Sequence, residues 1–298
     1  MIRGVHQIDL AVREANEVLP VVAAIRAEWE PNDRRWRAAN IHLGVREGAQ
    51  GSAPRVHEAG ITHICLQSTD SAALYDRLAG QGIAFHAPLT TLGNGTYYAY
   101  GTLPSGATIE IETAVVPPGE PAAAWISHVA LATPDLARLS DFYAELTGRP
   151  FAGGFRVPPS AANDVITGYP AVDLKVGWIG CGNMLIELWQ YLDPPTRPAA
   201  APRDDGAPGY QALVFEVDDL DAEQPRLAAL AGMTPVVRGA DGSARGWGRD
   251  PDGNAIGFVS FADAAGSIDG LDEPGRVPRL AAYRTTVPPP HYRRAMIW

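Results

Sequence analysis

Histidine and glutamate are the side chains in this sequence best suited to holding a cation or moving a proton, and some of them recur in one local setting. His63 lies in ITHICL, Glu110 in TIEIE, His128 in ISHVAL and Glu187 in MLIELW. Each run alternates apolar residues as a half-buried strand does, so neighbouring side chains face opposite sides of a sheet. Ile64 and Leu66 fall on the face away from His63, and Val129 and Leu131 on the face away from His128. Ile109 and Ile111 oppose Glu110 in the same way, as Ile186 and Leu188 oppose Glu187. All four polar side chains are in phase. Cys65, Thr108, Glu112, Ala130, Leu185 and Trp189 share that face and are candidates for a pocket lining.

A strand histidine taken alone is more often a packed or surface residue than a ligand, and His6, His57, His86 and His291 keep that reading. His6 is one residue out of phase with Gln7. Cys65 reads as a small packed residue rather than a nucleophile, since no motif places a base beside it. The tyrosines of TYYAY and the tryptophans Trp178 and Trp189 suit a core as well as a substrate contact.

The elements that would carry these residues repeat. Four period-two strands start at Val5 (VHQIDLAV), Ile61 (ITHICLQS), Ile126 (ISHVALAT) and Tyr210 (YQALVFEV). Helical sequence follows each, around Asn16 to Trp29, Ser71 to Gly82, Asp135 to Gly148 and Asp219 to Gly232. Asp135 and Asp219 suit N-caps, and Gly148 and Gly232 suit C-terminal stops. Closing strands are clear in TLPSGATIEIE, NMLIELWQY and RDPDGNAIGFVS, and module one ends near ANIHLGV. The expected fold class is α+β, with four tandem βαβββ modules forming two curled mixed sheets and helices on the outer faces. Pro- and Ala-rich linkers are expected at Val115 to Ala124 and Asp193 to Pro208, and the chain is expected to fall into an N-terminal half, 1–116, with modules one and two, and a C-terminal half, 123–262, with modules three and four. An extended tail, 263–298, contains Tyr283, Tyr292 and Trp298 and would dock on the body or on a second chain.

ISHVALATPDLARLSDFYAELTG and RDPDGNAIGF resemble the opening and closing segments of a vicinal oxygen chelate module, of the glyoxalase/extradiol dioxygenase/bleomycin resistance superfamily. The likeness runs from about Met1 to Ala262 and is weakest in module one. It implies metal ligands in the first and last strand of each module, and sites shared by paired modules. Those places hold Gln7 and, in one reading, His42 in module one, then His63 and Glu110, His128 and Glu187, and finally Ala212 and Gly257. Pairing consecutive modules would leave His128 and Glu187 opposite an Ala and a Gly. Pairing two with three and one with four, as in a fused glyoxalase I dimer, gathers His63, Glu110, His128 and Glu187 in one site, and is preferred here.

Such a set suits one divalent ion, Zn, Ni, Co, Mn or Fe(II), with positions left for substrate. The implied activity is a glyoxalase-like isomerase, epimerase or lyase working through a metal-stabilised enolate of a small oxygen-rich substrate, with Glu187 or Glu110 as the base. One alternative is an Fe(II) extradiol-type dioxygenase, since two histidines and one carboxylate make a facial triad and HICLQS with YYAYGTLPSGATIEIE resembles its catalytic half. Another is a non-catalytic protein that sequesters a small molecule or antibiotic.

Composition narrows the classes. The formal charge is −10, from 34 acidic and 24 basic residues, which gives no broad basic face for a phosphate backbone. Nucleic acid is not an expected partner. No run approaches a membrane span and the N-terminus lacks signal-peptide zones, so a cytoplasmic location without membrane contact is expected. Cys65 and Cys181 have no CxxC spacing, which suggests neither a disulfide framework nor a thiolate zinc site. The expected partner is a small-molecule substrate, bound by a monomer or homodimer.

Overall fold

Each repeat opens on a strand whose apolar alternate residues are buried, and the closing strand of the same repeat lies parallel beside it. The computed structural model describes residues 1–93, 95–114, 124–198, 206–262 and 266–271. Module one comprises β1 (Ile2–Ala11), α1 (Leu19–Ala24), β2 (Glu28–Glu30), β3 (Arg35–Arg37) and β4 (His42–Arg46). Module two comprises β5 (Gly60–Ser68), α2 (Ser71–Gly80), β6 (Ala84–Phe85), β7 (Thr90–Thr91), β8 (Tyr97–Thr102) and β9 (Thr108–Thr113). Module three holds β10 (Trp125–Ala132), α3 (Leu136–Thr147), β11 (Ala152–Val157), an additional α4 (Ala161–Thr167), β12 (Asp173–Cys181) and β13 (Met184–Asp193). Module four holds β14 (Gly209–Val217), α5 (Leu220–Ala231), β15 (Val237–Arg238), β16 (Ala244–Arg249) and β17 (Ala255–Ser260).

Sheet one runs β15, β16, β17, β14, β1, β4, β3, β2, and sheet two runs β11, β12, β13, β10, β5, β9, β8, β6, with β7 paired to β8. Module four therefore joins module one, and module three joins module two. The first strands meet antiparallel at each centre, β1 with β14 and β5 with β10. Each half of the chain gives one module to each sheet, so both sheets need both halves.

The helix ends follow local chemistry. Asp135 and Asp219 accept hydrogen bonds from the backbone N–H of Arg138 and Ala222, and Gly148 and Gly232 close their helices in the left-handed conformation, which glycine adopts without a Cβ clash. The helix expected over Asn16 to Trp29 is shorter. A 3-10 turn precedes α1, which ends at Ala24, and Arg26 takes a positive φ. Trp29 lies instead in β2, opposite Trp36 in β3. The segment Pro31-Asn32-Asp33-Arg34 turns the chain between them, with Pro and Asn supplying turn chemistry that a helix cannot absorb.

A large apolar core runs through both sheets and the helices, and a smaller cluster gathers Trp125, Leu174, Trp178 and Leu185 in sheet two. Between the sheets, Asn183 at the β12–β13 turn donates to the Val5 and Asn40 carbonyls at 2.7 and 2.5 Å and accepts from the Val5 N–H at 3.0 Å. Asn40 in turn donates to the Ile126 carbonyl at 2.7 Å. Beside Asn183, Gly182 has φ +69 and a Cβ there would stand 2.1 Å from the Arg3 carbonyl oxygen. Only glycine fits this approach. The linker and tail readings for 115–123, 199–205, 263–265 and 272–298 fall outside the described residues. No helix among the described residues is long and apolar enough to cross a membrane.

Candidate metal centre

His63 sits on β5, Glu110 on β9, His128 on β10 and Glu187 on β13, four neighbouring strands at the middle of sheet two. Each offers one donor atom, and all four atoms lie within 4.8 Å of one another. Oε2 of Glu110 is 3.0 Å from Nε2 of His128 and 3.4 Å from that of His63, and Oε2 of Glu187 is 3.2 and 3.8 Å from the same two nitrogens. All four side chains are buried. Nε2 of His63 and Oε2 of Glu110 and Glu187 have no hydrogen-bond partner among the described residues, an arrangement costly unless something else meets them. Two imidazoles and two carboxylates converging in this way could hold a divalent cation.

Register explains how the histidines come to face each other. Thr62 and Ser127 are the extra residues of two β-bulges in the β5–β10 pairing, and a bulge re-aims the side chain that follows it. The Thr62 hydroxyl donates to the Ala130 carbonyl at 3.2 Å, leaving its oxygen to accept from Nδ1 of His63 at 3.0 Å. Ser127 does the same between the Cys65 carbonyl, at 3.5 Å, and Nδ1 of His128, at 3.3 Å. These contacts fit the Nδ1–H tautomer of both rings, with Nε2 turned toward the centre, a common support for metal-binding histidines. The sequence reading passed over Thr62 and Ser127, although a hydroxyl residue precedes each of the two histidines.

Glu187 is braced as well, because the Trp178 indole donates to its Oε1 at 2.8 Å and leaves Oε2 facing the centre. Burial pushes the Glu110 carboxyl up, but the close approach of the His128 and His63 imidazoles outweighs it and holds the group at about 2. The carboxylate is thus ionised, as a ligand must be. Burial pushes the Cys65 thiol well up, which keeps it protonated and unreactive.

A cavity of about 320 Å³, within the size range of small-molecule sites, is lined by Glu110, His128 and Glu187. Its wall is largely aromatic, with Tyr98, Tyr100, Phe155, Trp178 and Trp189, and α4 closes one side with Asn163, Ile166 and Thr167. Of the expected lining residues, Glu112 and Trp189 line it. Cys65, Thr108 and Leu185 do not. Cys65 lies fully buried with Sγ 3.8 Å from Oε2 of Glu112. The end of sheet two that carries Thr108 and Leu185 is covered by sheet one: the Tyr210 hydroxyl donates to the Thr108 carbonyl, and Leu185 packs in a cluster with Ala39. Helix α4 was not read from the sequence, although Ser160 caps its start and Gly168 its end.

The remaining histidines have structural contacts. His86 bonds through Nε2 to the Ile166 carbonyl at the end of α4, and His57 packs on Tyr169. The His6 and His42 rings lie 4.7 Å apart, tilted by 41°, in a buried network with Arg35 and Glu216. His291 lies outside the described residues. In β4 the residue at the Glu110 level is Gly44, opposite Asp9, whereas His42 is one step lower, opposite Gln7. The reading of His42 as a ligand-position residue is thereby corrected: the ligand phase in β4 falls two residues later.

The model of the Glyoxalase/Bleomycin resistance protein/Dioxygenase superfamily matches residues 23–111 and 125–258. Among solved structures the chain is similar to glyoxalase I from Zea mays, at 13% identity and a TM-score of 0.59, covering 90% of this chain and 95% of that one. It is also similar to a candidate dioxygenase from Bacillus subtilis subsp. subtilis str. 168, at 15% identity and a TM-score of 0.58, covering 91% and 90%. At such identities these likenesses concern the fold alone. No curated protein matches the chain.

Proposed function

Because the chain belongs to the glyoxalase/bleomycin resistance protein/dioxygenase superfamily, we propose that sheet two carries a metal-dependent isomerase, epimerase or lyase site held by His63, Glu110, His128 and Glu187. The observation that carries this reading is the convergence of four buried donor atoms within 4.8 Å, three of them without a hydrogen bond. A divalent cation bound there supplies stabilisation for negative charge developing on a substrate oxygen.

The chain's own residues do the rest. The indole of Trp178 and the hydroxyls of Thr62 and Ser127 fix the orientation of Glu187, His63 and His128. Glu187 or Glu110 takes the proton from the C–H beside the substrate carbonyl. The aromatic wall excludes water and takes up the apolar part of a small substrate with adjacent oxygens. A cytoplasmic location is part of this reading. The second reading, an Fe(II) dioxygenase, is favoured by the two histidines and one carboxylate that a facial triad needs. The aromatic cavity suits a ring substrate.

The test is proton exchange. Metal-loaded protein, incubated in D2O with a series of α-hydroxyaldehydes and α-hydroxyketones, is followed by NMR for deuterium at the carbon next to the carbonyl. Exchange that is lost in one of Glu110→Gln and Glu187→Gln supports the reading and identifies the base, and exchange lost in both supports the reading alone. Oxygen consumption with catechols on the Fe(II)-loaded protein, without any exchange, would replace it by the dioxygenase.

A further inference from the structure

The concave face of sheet one holds the larger cavity, about 900 Å³, and it stands at the positions that correspond to the metal centre. Register makes the correspondence residue by residue. Gln7 takes the place of His63, Ala212 that of His128, Gly44 that of Glu110 and Gly257 that of Glu187. Neither of the His, Cys, Asp and Glu clusters able to hold a metal among the described residues lies here.

The replacements are not merely losses. The Gln7 amide donates to Oδ1 of Asp9 at 2.6 Å, and a Cβ on Gly44 would stand 2.3 Å from that oxygen and 2.6 Å from the amide nitrogen. A donor and acceptor pair therefore fills the ground a carboxylate ligand would need. Trp247 faces Gly257 across the β16–β17 pairing, as Trp178 faces Glu187 in sheet two. With no carboxylate to hold, the Trp247 ring packs 3.1 Å from where a Gly257 Cβ would be and stays 45% exposed, whereas Trp178 is 5% exposed. Three arginines, Arg34 from the β2–β3 turn, Arg46 at the end of β4 and Arg249 at the end of β16, line the same cavity. Arg249 is steadied by the Gly253 carbonyl at 2.6 Å. In a chain of net charge −10, this is a local reversal of sign.

We propose that this cavity is a metal-independent binding site for a planar aromatic carboxylate, separate from the centre in sheet two. The ring stacks on the Trp247 indole. The carboxylate pairs with the arginines, whose forked donors match its two oxygens. Asp9 accepts a hydrogen bond from a hydroxyl at the far end of the ligand.

The test uses the full metal-loaded chain and 6-hydroxy-2-naphthoate as the probe, titrated by calorimetry, with 2-naphthol as the control lacking a carboxylate. Saturable binding with one site per chain is expected, and it persists in His63→Ala/His128→Ala. Trp247→Ala and Arg46→Glu each weaken it by at least about tenfold without changing metal content or the melting temperature of the metal-loaded protein. Because the centre in sheet two also has aromatic walls, binding that disappears in His63→Ala/His128→Ala would place the probe there and overturn the proposal. No saturable binding, equal binding of 2-naphthol, or binding indifferent to Trp247 and Arg46 would overturn it as well. If Trp247→Ala does not fold, Trp247→Leu replaces it, with the same loss expected from the missing stack.

Discussion

Sheets one and two share a strand order and a bulge before each ligand position, yet their concave faces differ in kind. Sheet two converges four buried donors, three of them lining a cavity of about 320 Å³; sheet one has Gln7, Gly44, Ala212 and Gly257 at those places, the first three lining one of about 900 Å³. The strand frame is shared, so the difference lies in a few side chains, in what their neighbours do once those are gone, and in α4, which closes one side of the sheet-two cavity. Trp178 holds a glutamate; Trp247 lies against a glycine and is open. A fold of this type sets where a site can be, and the side chains decide what it does.

The comparison breaks most readily at the carboxylates. If the reaction is proton abstraction, replacing the base, Glu187→Gln or Glu110→Gln, lowers turnover by about 10²- to 10⁴-fold, whereas Gly257→Ala in sheet one leaves it unchanged; steady-state kinetics on the metal-loaded proteins checks both. Chelation follows. Removing a cation present at a thousandfold excess over its dissociation constant costs about 4 kcal/mol, which calorimetry reads as a drop in melting temperature. Further out, Trp178→Phe frees the Glu187 carboxylate and weakens metal affinity by about 10- to 100-fold, while Trp247→Phe does nothing to it. Equal effects of the two substitutions in a competitive chelator titration would contradict the asymmetry of the two sheets. Thr62→Val removes the hydrogen bond that fixes the His63 tautomer and costs toward the lower end of the same range.

The smallest effect concerns acid. His42 is held at about 2 by burial first and then by His6 and Arg35. A histidine whose pKa falls on folding contributes stability that is present above about 6.5 and lost as pH falls toward the folded value. His42→Gln should therefore flatten the decline of melting temperature below pH 6.5, measured on His63→Ala/His128→Ala so that metal release does not intrude.

Much of this was legible in the sequence. Asp135 with Gly148 and Asp219 with Gly232 bracket helices because capping is local chemistry. The phase of His63, Glu110, His128 and Glu187 is legible because period two leaves no choice of face. The pairing of modules was preferred from where the furnished positions fell. What failed was less local. The β2–β3 hairpin hid in EWEPNDRRWR, since Trp29 continues a helical spacing until Pro31 and Asn32 are weighed. The sealed end of sheet two, which removes Thr108 and Leu185 from the cavity, depends on Tyr210 and Ala39 arriving from distant modules. Gly44 was overlooked because a glycine offers no chemistry to notice until register places it beside Asp9.

The central claim is that one furnished centre, in sheet two, binds one cation per chain. Metal content by plasma mass spectrometry, on wild type and on His63→Ala/His128→Ala after reconstitution and desalting, tests it directly. About one divalent ion per wild-type chain and none in the double variant is the expected result. Metal retained by the variant, two ions per wild-type chain, or none after reconstitution with Zn, Ni, Co, Mn and Fe(II) would contradict it.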